Sequence, residues 1–343
     1  MSSFDDLTAK SAAAKGKIVV FNEPWVSYGE TVAYRYDGVT AAAKVGAVAA
    51  LVRSVAPYGL QTPHTGSSAP SSIPTAAITL EDALLMQRMQ DRGQPIWVEL
   101  YMEAHTEPDV QSRNVLIEIT GSEFPDEFVT VGGHMDSWDV ADGAIDDGGG
   151  ALASFEAVRL IHLLGLRPKR TVRAIMYVNE ENGARGGQQY AKDHAAELNR
   201  TSLAIESDGG TFTPYALGVA ASPAATALLA YVGSQLLSGL GSGNVTAGGQ
   251  DTDTSFVCAL GVPCGALHDL DPRASDRPNN PCLGYSQYPY PAPEPRIPDG
   301  YFNFHHTSAD TPDKVDPQQL QRSAASLSVW IWAVANLPDL LPR

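Results

Sequence analysis

Long apolar runs are missing from this 343-residue chain. No stretch approaches the ~18 consecutive apolar residues that a helical membrane span requires. Positive charge is also scarce: 23 Lys and Arg stand against 39 Asp and Glu, giving a formal net charge of −16 and a sequence pI near 4.8. Such a field repels phosphate backbones, which argues against a nucleic-acid partner. Only three cysteines occur (Cys258, Cys264 and Cys282), with no CxxC pair, which makes a poor count for a cysteine-based zinc site. They read either as buried small side chains or as one disulfide with an odd thiol. The opening MSSFDDLTAKSAAAKGKIVV lacks the basic-then-apolar order of a signal peptide. No internal repeat is evident. What is present, 43% hydrophobic and 18% charged residues, is the balance of a folded globular chain, long enough for one large domain or two ordinary ones.

Two textures follow one another. Up to about Ala104, short β segments alternate with helices: GKIVVF as a strand, VTAAAKVGAVAALVRS as a helix running into a strand, and AAITLEDALLMQRMQDRG as a strand and helix stopped at Gly93. PIWVELYMEA alternates as a strand does. Pro57 to Pro74 reads as a loop. From Asn114 the pattern becomes strand–helix–strand. VLIEIT, EFVTVGGH, TVRAIMYVNEE and SLAIESDGG are expected strands, and GGGALASFEAVRLIHLLGL is an expected helix with Leu152, Phe155, Val158, His162 and Leu163 on its apolar face. Asp316 followed by Pro317 caps a last helix. This alternation implies an α/β domain with a largely parallel sheet. A proline-rich stretch, Asp271 to Pro298, interrupts it.

The segment VGGHMDSWDVADGAIDDGGG places His134, Asp136, Asp146 and Asp147 beside three glycines. Histidine with clustered carboxylates is ligand chemistry for zinc, and glycine lets backbone approach a crowded site. Two further strands end in acids, at Glu180-Glu181 and at Asp208, and a late His305-His306 pair adds imidazole. In open α/β sheets ligands bind beyond the carboxyl ends of the strands. Singly, each feature has a bland reading: a surface His-x-Asp, a solvated Glu-Glu corner, a helix-capping Asp. Three strand ends in one order carry more weight. If Asp146 bridges two metals, one takes His134, Asp146 and Asp208, and the other takes Asp146, Glu181 and His306. Glu180 is then free to move a proton, and Asp136 to orient the His134 ring. Ligand imidazoles must be neutral, so activity should fall below about pH 6.

At GHMDSWDVADGAIDDGGG, GLRPKRTVRAIMYVNEENG, ESDGGTF, QDTDTSF and FHHTSADT the chain resembles the dinuclear zinc aminopeptidase and glutamate carboxypeptidase family. The likeness extends upstream through GKIVVFNEPW, AAKVGAVAALVRSVA and PHTG. It implies a three-layer α/β/α zinc-exopeptidase domain over residues 108–343. A protease-associated-type α+β domain would be inserted at 15–107, with 1–14 a remnant of a longer N-terminal peptidase segment. It also implies two zinc ions on His134, Asp146, Glu181, Asp208 and His306, the last chosen because the family's ligand directly precedes Thr. Glu180 is the implied general acid/base, and the Asp146–Asp147 peptide is implied to be cis. The implied activity is hydrolysis of unblocked dipeptides with release of the C-terminal amino acid. Rival readings are a zinc aminopeptidase of the same family and a truncated, non-catalytic binding protein. Relatives of this kind are secreted or lysosomal glycoproteins and homodimers; Asn199 and Asn244 stand in glycosylation sequons.

Overall fold

A computed structural model of the chain describes residues 1–270 and 300–343. The stretch Asp271–Pro298 and Cys282 lie outside the described residues. The chain divides into two compact units.

The first unit opens with helices α1 (Phe4–Ala9) and α2 (Ser11–Ala14). Strand β1 (Ile18–Phe21), helix α3 (Tyr28–Lys44), strands β2 (Ala49–Arg53) and β3 (Thr75–Ile78) and helix α4 (Leu80–Asp91) follow. The strands pair in parallel in the order β1-β2-β3. Parallel neighbours need a long crossover, and α3 supplies the first one. Ser27 caps α3, and Thr79 caps α4 by accepting from the Asp82 N–H at 3.0 Å. Leu7, Ala14, Val19, Phe21, Val39 and Val52 share one core, so residues 1–14 pack with this unit.

The alternating segment after Gly93 is not a strand: residues 94–114 carry no helix or strand, and Trp97 is 92% exposed. Alternation shows which side chains would share a face, but a strand also needs a neighbour for its backbone groups.

The second unit holds β4 (Val115–Ile119), β5 (Phe124–His134), α5 (Gly149–Leu163), β6 (Arg170–Tyr177) and α6 (Arg185–Asp193). It continues through β7 (Thr201–Glu206), β8 (Thr213–Ala220), α7 (Pro223–Leu236), β9 (Asn244–Ala247), α8 (Ser255–Cys258) and β10 (Cys264–Leu270). Helix α9 (Tyr301–Phe304) belongs to the first unit, and α10 (Pro317–Ala335) completes the second. Seven strands form one mixed sheet in the order β4-β6-β5-β7-β10-β8-β9. The central β6, β5, β7 and β10 are mutually parallel, whereas β4 and β8 run against their partners β6 and β10.

Side-chain alternation makes this unit three layers. Val129, Val131, Leu203 and Ile205 face a core shared with α5 and α10, including Ala157, Ile161, Leu327 and Trp330. Ile175, Tyr177 and Ala204 face the opposite core with Tyr190 of α6 and Val257 of α8. The buried face of α5 differs from the apolar stripe of the sequence. Leu152 and Leu163 are 55% and 60% exposed, and Ala153, Ser154, Ala157, Val158 and Ile161 face inward. Small residues let the helix lie close to the sheet, so volume rather than hydrophobicity selects the face. Cys258 and Cys264 form a disulfide.

Candidate metal centre

Within the second unit, β5, β6 and β7 are neighbours, and their carboxyl ends deliver the candidate residues to one sheet edge. His134 is the last residue of β5 and is buried. Glu180 and Glu181 follow β6 after a left-handed Asn179, a residue type that tolerates positive φ. Asp208 follows β7. The turn Ala144–Gly148 at the start of α5 carries Asp146 and Asp147, joined by a cis peptide.

The His134 ring is fixed at both nitrogens. Nδ1 donates to the Asp136 carbonyl oxygen at 2.8 Å, which assigns the ring proton to Nδ1. Nε2 faces carboxylate oxygens, 3.2 Å from Asp146 Oδ1, 3.5 Å from Asp208 Oδ1 and 4.0 Å from Glu180 Oε2, an arrangement that takes either a proton on Nε2 or a cation between the partners. Ligand atoms of His134, Asp146 and Asp208 all lie within 4.8 Å of one another.

Asp136 orients the ring through its main chain, not its carboxylate, which stands 3.8 Å from Nδ1. That carboxylate instead accepts the N–H groups of Glu180 at 3.0 Å and Glu181 at 3.4 Å. One residue thus ties the end of β5 to the acidic loop after β6.

The glycines serve close approach. A Cβ on Gly150 would overlap the Ser207 carbonyl and the Asp147 carboxylate, and one on Gly133 would overlap Asp147 as well. In that space Asp147 accepts from the N–H groups of His134 at 3.0 Å and Gly150 at 3.1 Å.

Electrostatics fit a cation. Burial pushes the carboxyls of Asp147 and Asp208 well above the usual range, even with the opposing pull of His134. Burial likewise raises Glu180, with His134 and a hydrogen bond from Thr252 acting the other way. Burial by itself would lower His134, but Asp208, Asp146 and Asp147 hold the ring well above the imidazole range. Buried carboxylates in excess of one imidazole form a donor set that a divalent ion would neutralise; His plus Asp suits zinc.

The residues supporting this set were not assigned roles by the sequence. Asp310 accepts from the N–H groups of Ile145 at 2.6 Å and Asp146 at 3.0 Å, and burial raises its carboxyl to about 6. Glu206, raised by burial to about 8, accepts from the N–H of Thr254 at 2.8 Å and its hydroxyl at 2.7 Å. It thereby holds the 251–254 loop that carries Thr252. Both acids stand in motifs already quoted, FHHTSADT and the ESDGGTF strand end, but nothing in their spacing shows that they grip backbone.

His306 belongs to the first unit. There its backbone is left-handed, at φ 59°, and its ring stacks on His305 with centroids 3.7 Å apart. His64 is buried beside the pair, its pKa held well below the imidazole range by burial and by the charges of His305, His306 and Arg35.

Residues 114–331 match peptidase family M28. The chain is 42% identical to carboxypeptidase Q of Mus musculus and 42% identical to that of Homo sapiens, over all of this chain and 68% of each relative. The chain belongs to peptidase family M28. Among solved structures, a peptidase M28 precursor from Shewanella amazonensis superposes on this M28 chain with a TM-score of 0.85 at 31% identity. The match covers 100% of this chain and 74% of the other. BSAP, a zinc aminopeptidase from Bacillus subtilis, shares the fold, with a TM-score of 0.66 at 18% identity over 98% and 73% of the two chains.

Proposed function

We propose that this M28 chain is a dinuclear zinc exopeptidase that hydrolyses unblocked dipeptides and small peptides, releasing the C-terminal amino acid. One observation carries the reading: His134 Nε2, Asp146 and Asp208 converge at the carboxyl edge of adjacent parallel strands, with the Glu180 carboxylate 4.0 Å from the same nitrogen. In this reading His134, Asp146 and Asp208 hold one zinc ion, and Asp146, Glu181 and His306 hold the second. Zinc bound there supplies Lewis acidity, polarising the scissile carbonyl and making a water nucleophilic near neutral pH. Glu180 takes the proton of that water and returns it to the leaving amine. Asp136 keeps the His134 tautomer that presents Nε2, and it holds the Glu180–Glu181 main chain in place. Residues 15–107 are assigned as the inserted protease-associated-type domain and 108–343 as the peptidase domain.

The test measures zinc content by inductively coupled plasma mass spectrometry alongside product analysis on free dipeptides and longer peptides. Two zinc ions per chain, with dipeptides cleaved to their two amino acids and the C-terminal residue released from small peptides of more than two residues, is the expected result. N-terminal release from long peptides would make it an aminopeptidase, and two zinc ions without turnover a binding protein.

An extracellular or lysosomal compartment is part of the proposal. It is supported by the Cys258–Cys264 disulfide and by the exposure of both sequon residues, Asn199 and Asn244. No described helix is long and apolar enough to cross a membrane. The homodimer implied by the resemblance is tested by sedimentation velocity.

A further inference from the structure

The PHTG motif of the first unit has no part in the ligand set, yet two of its residues grip the segment that carries His306. The Thr65 N–H donates to the His306 carbonyl at 2.8 Å. His306 Nδ1 lies 3.2 Å from the Thr65 carbonyl oxygen, which can only accept. That pairing places the proton on Nδ1 and leaves the Nε2 lone pair for a metal. One residue earlier the pattern repeats. His64 Nδ1 donates to the His305 carbonyl at 3.0 Å, so its Nε2 is an acceptor, and Arg35 Nη1 supplies the donor at 2.8 Å.

Arg35 is the anchor of this clamp. Its Nε donates to the Ser67 carbonyl at 3.1 Å, and Nη1 also reaches the Tyr28 hydroxyl at 3.2 Å. Nη1 stands 3.3 Å from His306 Nδ1 as well, but its two hydrogens have nearer acceptors in His64 and Tyr28. The nitrogens of His64, His305 and His306 are close enough to suggest a metal site of their own. Both His64 nitrogens are engaged, however, one of them by a guanidinium cation, which excludes that use. A left-handed histidine is strained and persists only where its surroundings impose it; the Thr65 pairing and the imidazole stack do so here.

We propose that Arg35, His64 and Thr65 are positioning residues for His306, fixing its tautomer and ring plane, so that loosening them weakens the zinc that His306 binds. The proposal rests on the reading of His306 as a ligand. The full-length chain is compared with His306→Ala, Arg35→Met, His64→Ala and His64→Asn, the last keeping an N–H donor for the His305 carbonyl. Readouts are zinc stoichiometry, stepwise zinc affinity by chelator competition, and circular dichroism.

His306→Ala should hold one zinc. Arg35→Met and His64→Ala should bind the second zinc about 10–100-fold more weakly, with the first unchanged. His64→Asn should recover most of that loss. Parental affinity for both zinc ions in Arg35→Met and His64→Ala, with one zinc lost in His306→Ala, overturns the positioning role alone. Two zinc ions retained by His306→Ala overturns the ligand reading beneath it. Equal weakening of both sites, with or without loss of the circular dichroism signal, also overturns the proposal, because it marks a general structural role.

Discussion

Glu180 and Glu181 are adjacent in the chain, yet only Glu180 has been placed as a proton carrier. Glu180→Gln keeps the side-chain volume and removes the base. It should bind zinc normally and lose at least about 10²-fold in kcat; near-parental turnover would refute the assignment. Asp310 makes a different kind of contribution. Asp310→Ala would leave the buried N–H groups of Ile145 and Asp146 unsatisfied, at about 1–3 kcal/mol each. Zinc affinity should then fall by about 10–100-fold, measured by chelator competition. The candidate ligands were legible as residue types, His134, Glu181 and Asp208 at strand ends and Asp146 and His306 in quoted motifs. Asp310 and Glu206 were not, because a carboxylate that grips backbone N–H groups leaves no periodic or spacing signal.

Elements were legible where a local rule closes locally. Asp316 accepts from the N–H groups of Gln318 at 2.8 Å and Gln319 at 3.2 Å, with Pro317 at the first helical position, as the sequence implied. Asp316→Ala should destabilise the chain by roughly 0.5–2 kcal/mol in urea unfolding. Helix α5 shows where such rules stop. Its existence followed from composition, but its buried face is the small-residue face that the sheet admits. Ala157→Leu should therefore cost about 1–3 kcal/mol by overpacking, and Leu152→Ala should stay within about 0.5 kcal/mol. Equal effects in the two variants would contradict this packing. The 95–104 segment failed as a strand for a related reason, since its alternation found no partner edge.

For the molecule as a whole, stability depends on compartment and pH. The disulfide closes a loop with a sequence separation of 6, and the chain-entropy account gives it about 2 kcal/mol. Dithiothreitol should lower the unfolding midpoint accordingly, and Cys258→Ser/Cys264→Ser should remove that sensitivity. His268 sets a pH response away from the metal centre. Burial lowers its pKa from the ordinary 6.5, with a hydrogen bond donated by the ring to the Gly248 backbone opposing. The unfolded chain therefore takes up the proton first as pH falls through 6.5, and the contribution of neutral His268 to stability is lost from that point downward. His268→Gln should flatten the loss of urea midpoint between about pH 7.5 and 5.5. An unchanged slope would show that other groups govern the acid limb.

The sequence by itself determined the α/β class, the helix caps and the residue types at the ends of three strands, because periodicity, capping and turn chemistry act over a few residues. Only the tertiary structure decided which strands are neighbours, and so that His134, Asp146 and Asp208 meet. It also decided that Asp136 meets the His134 ring through its carbonyl and that small residues of α5 face the sheet. These are matters of three-dimensional proximity and volume. A carboxylate has the same letter whether it ligates, grips backbone or faces water, and burial with its partners tells these uses apart.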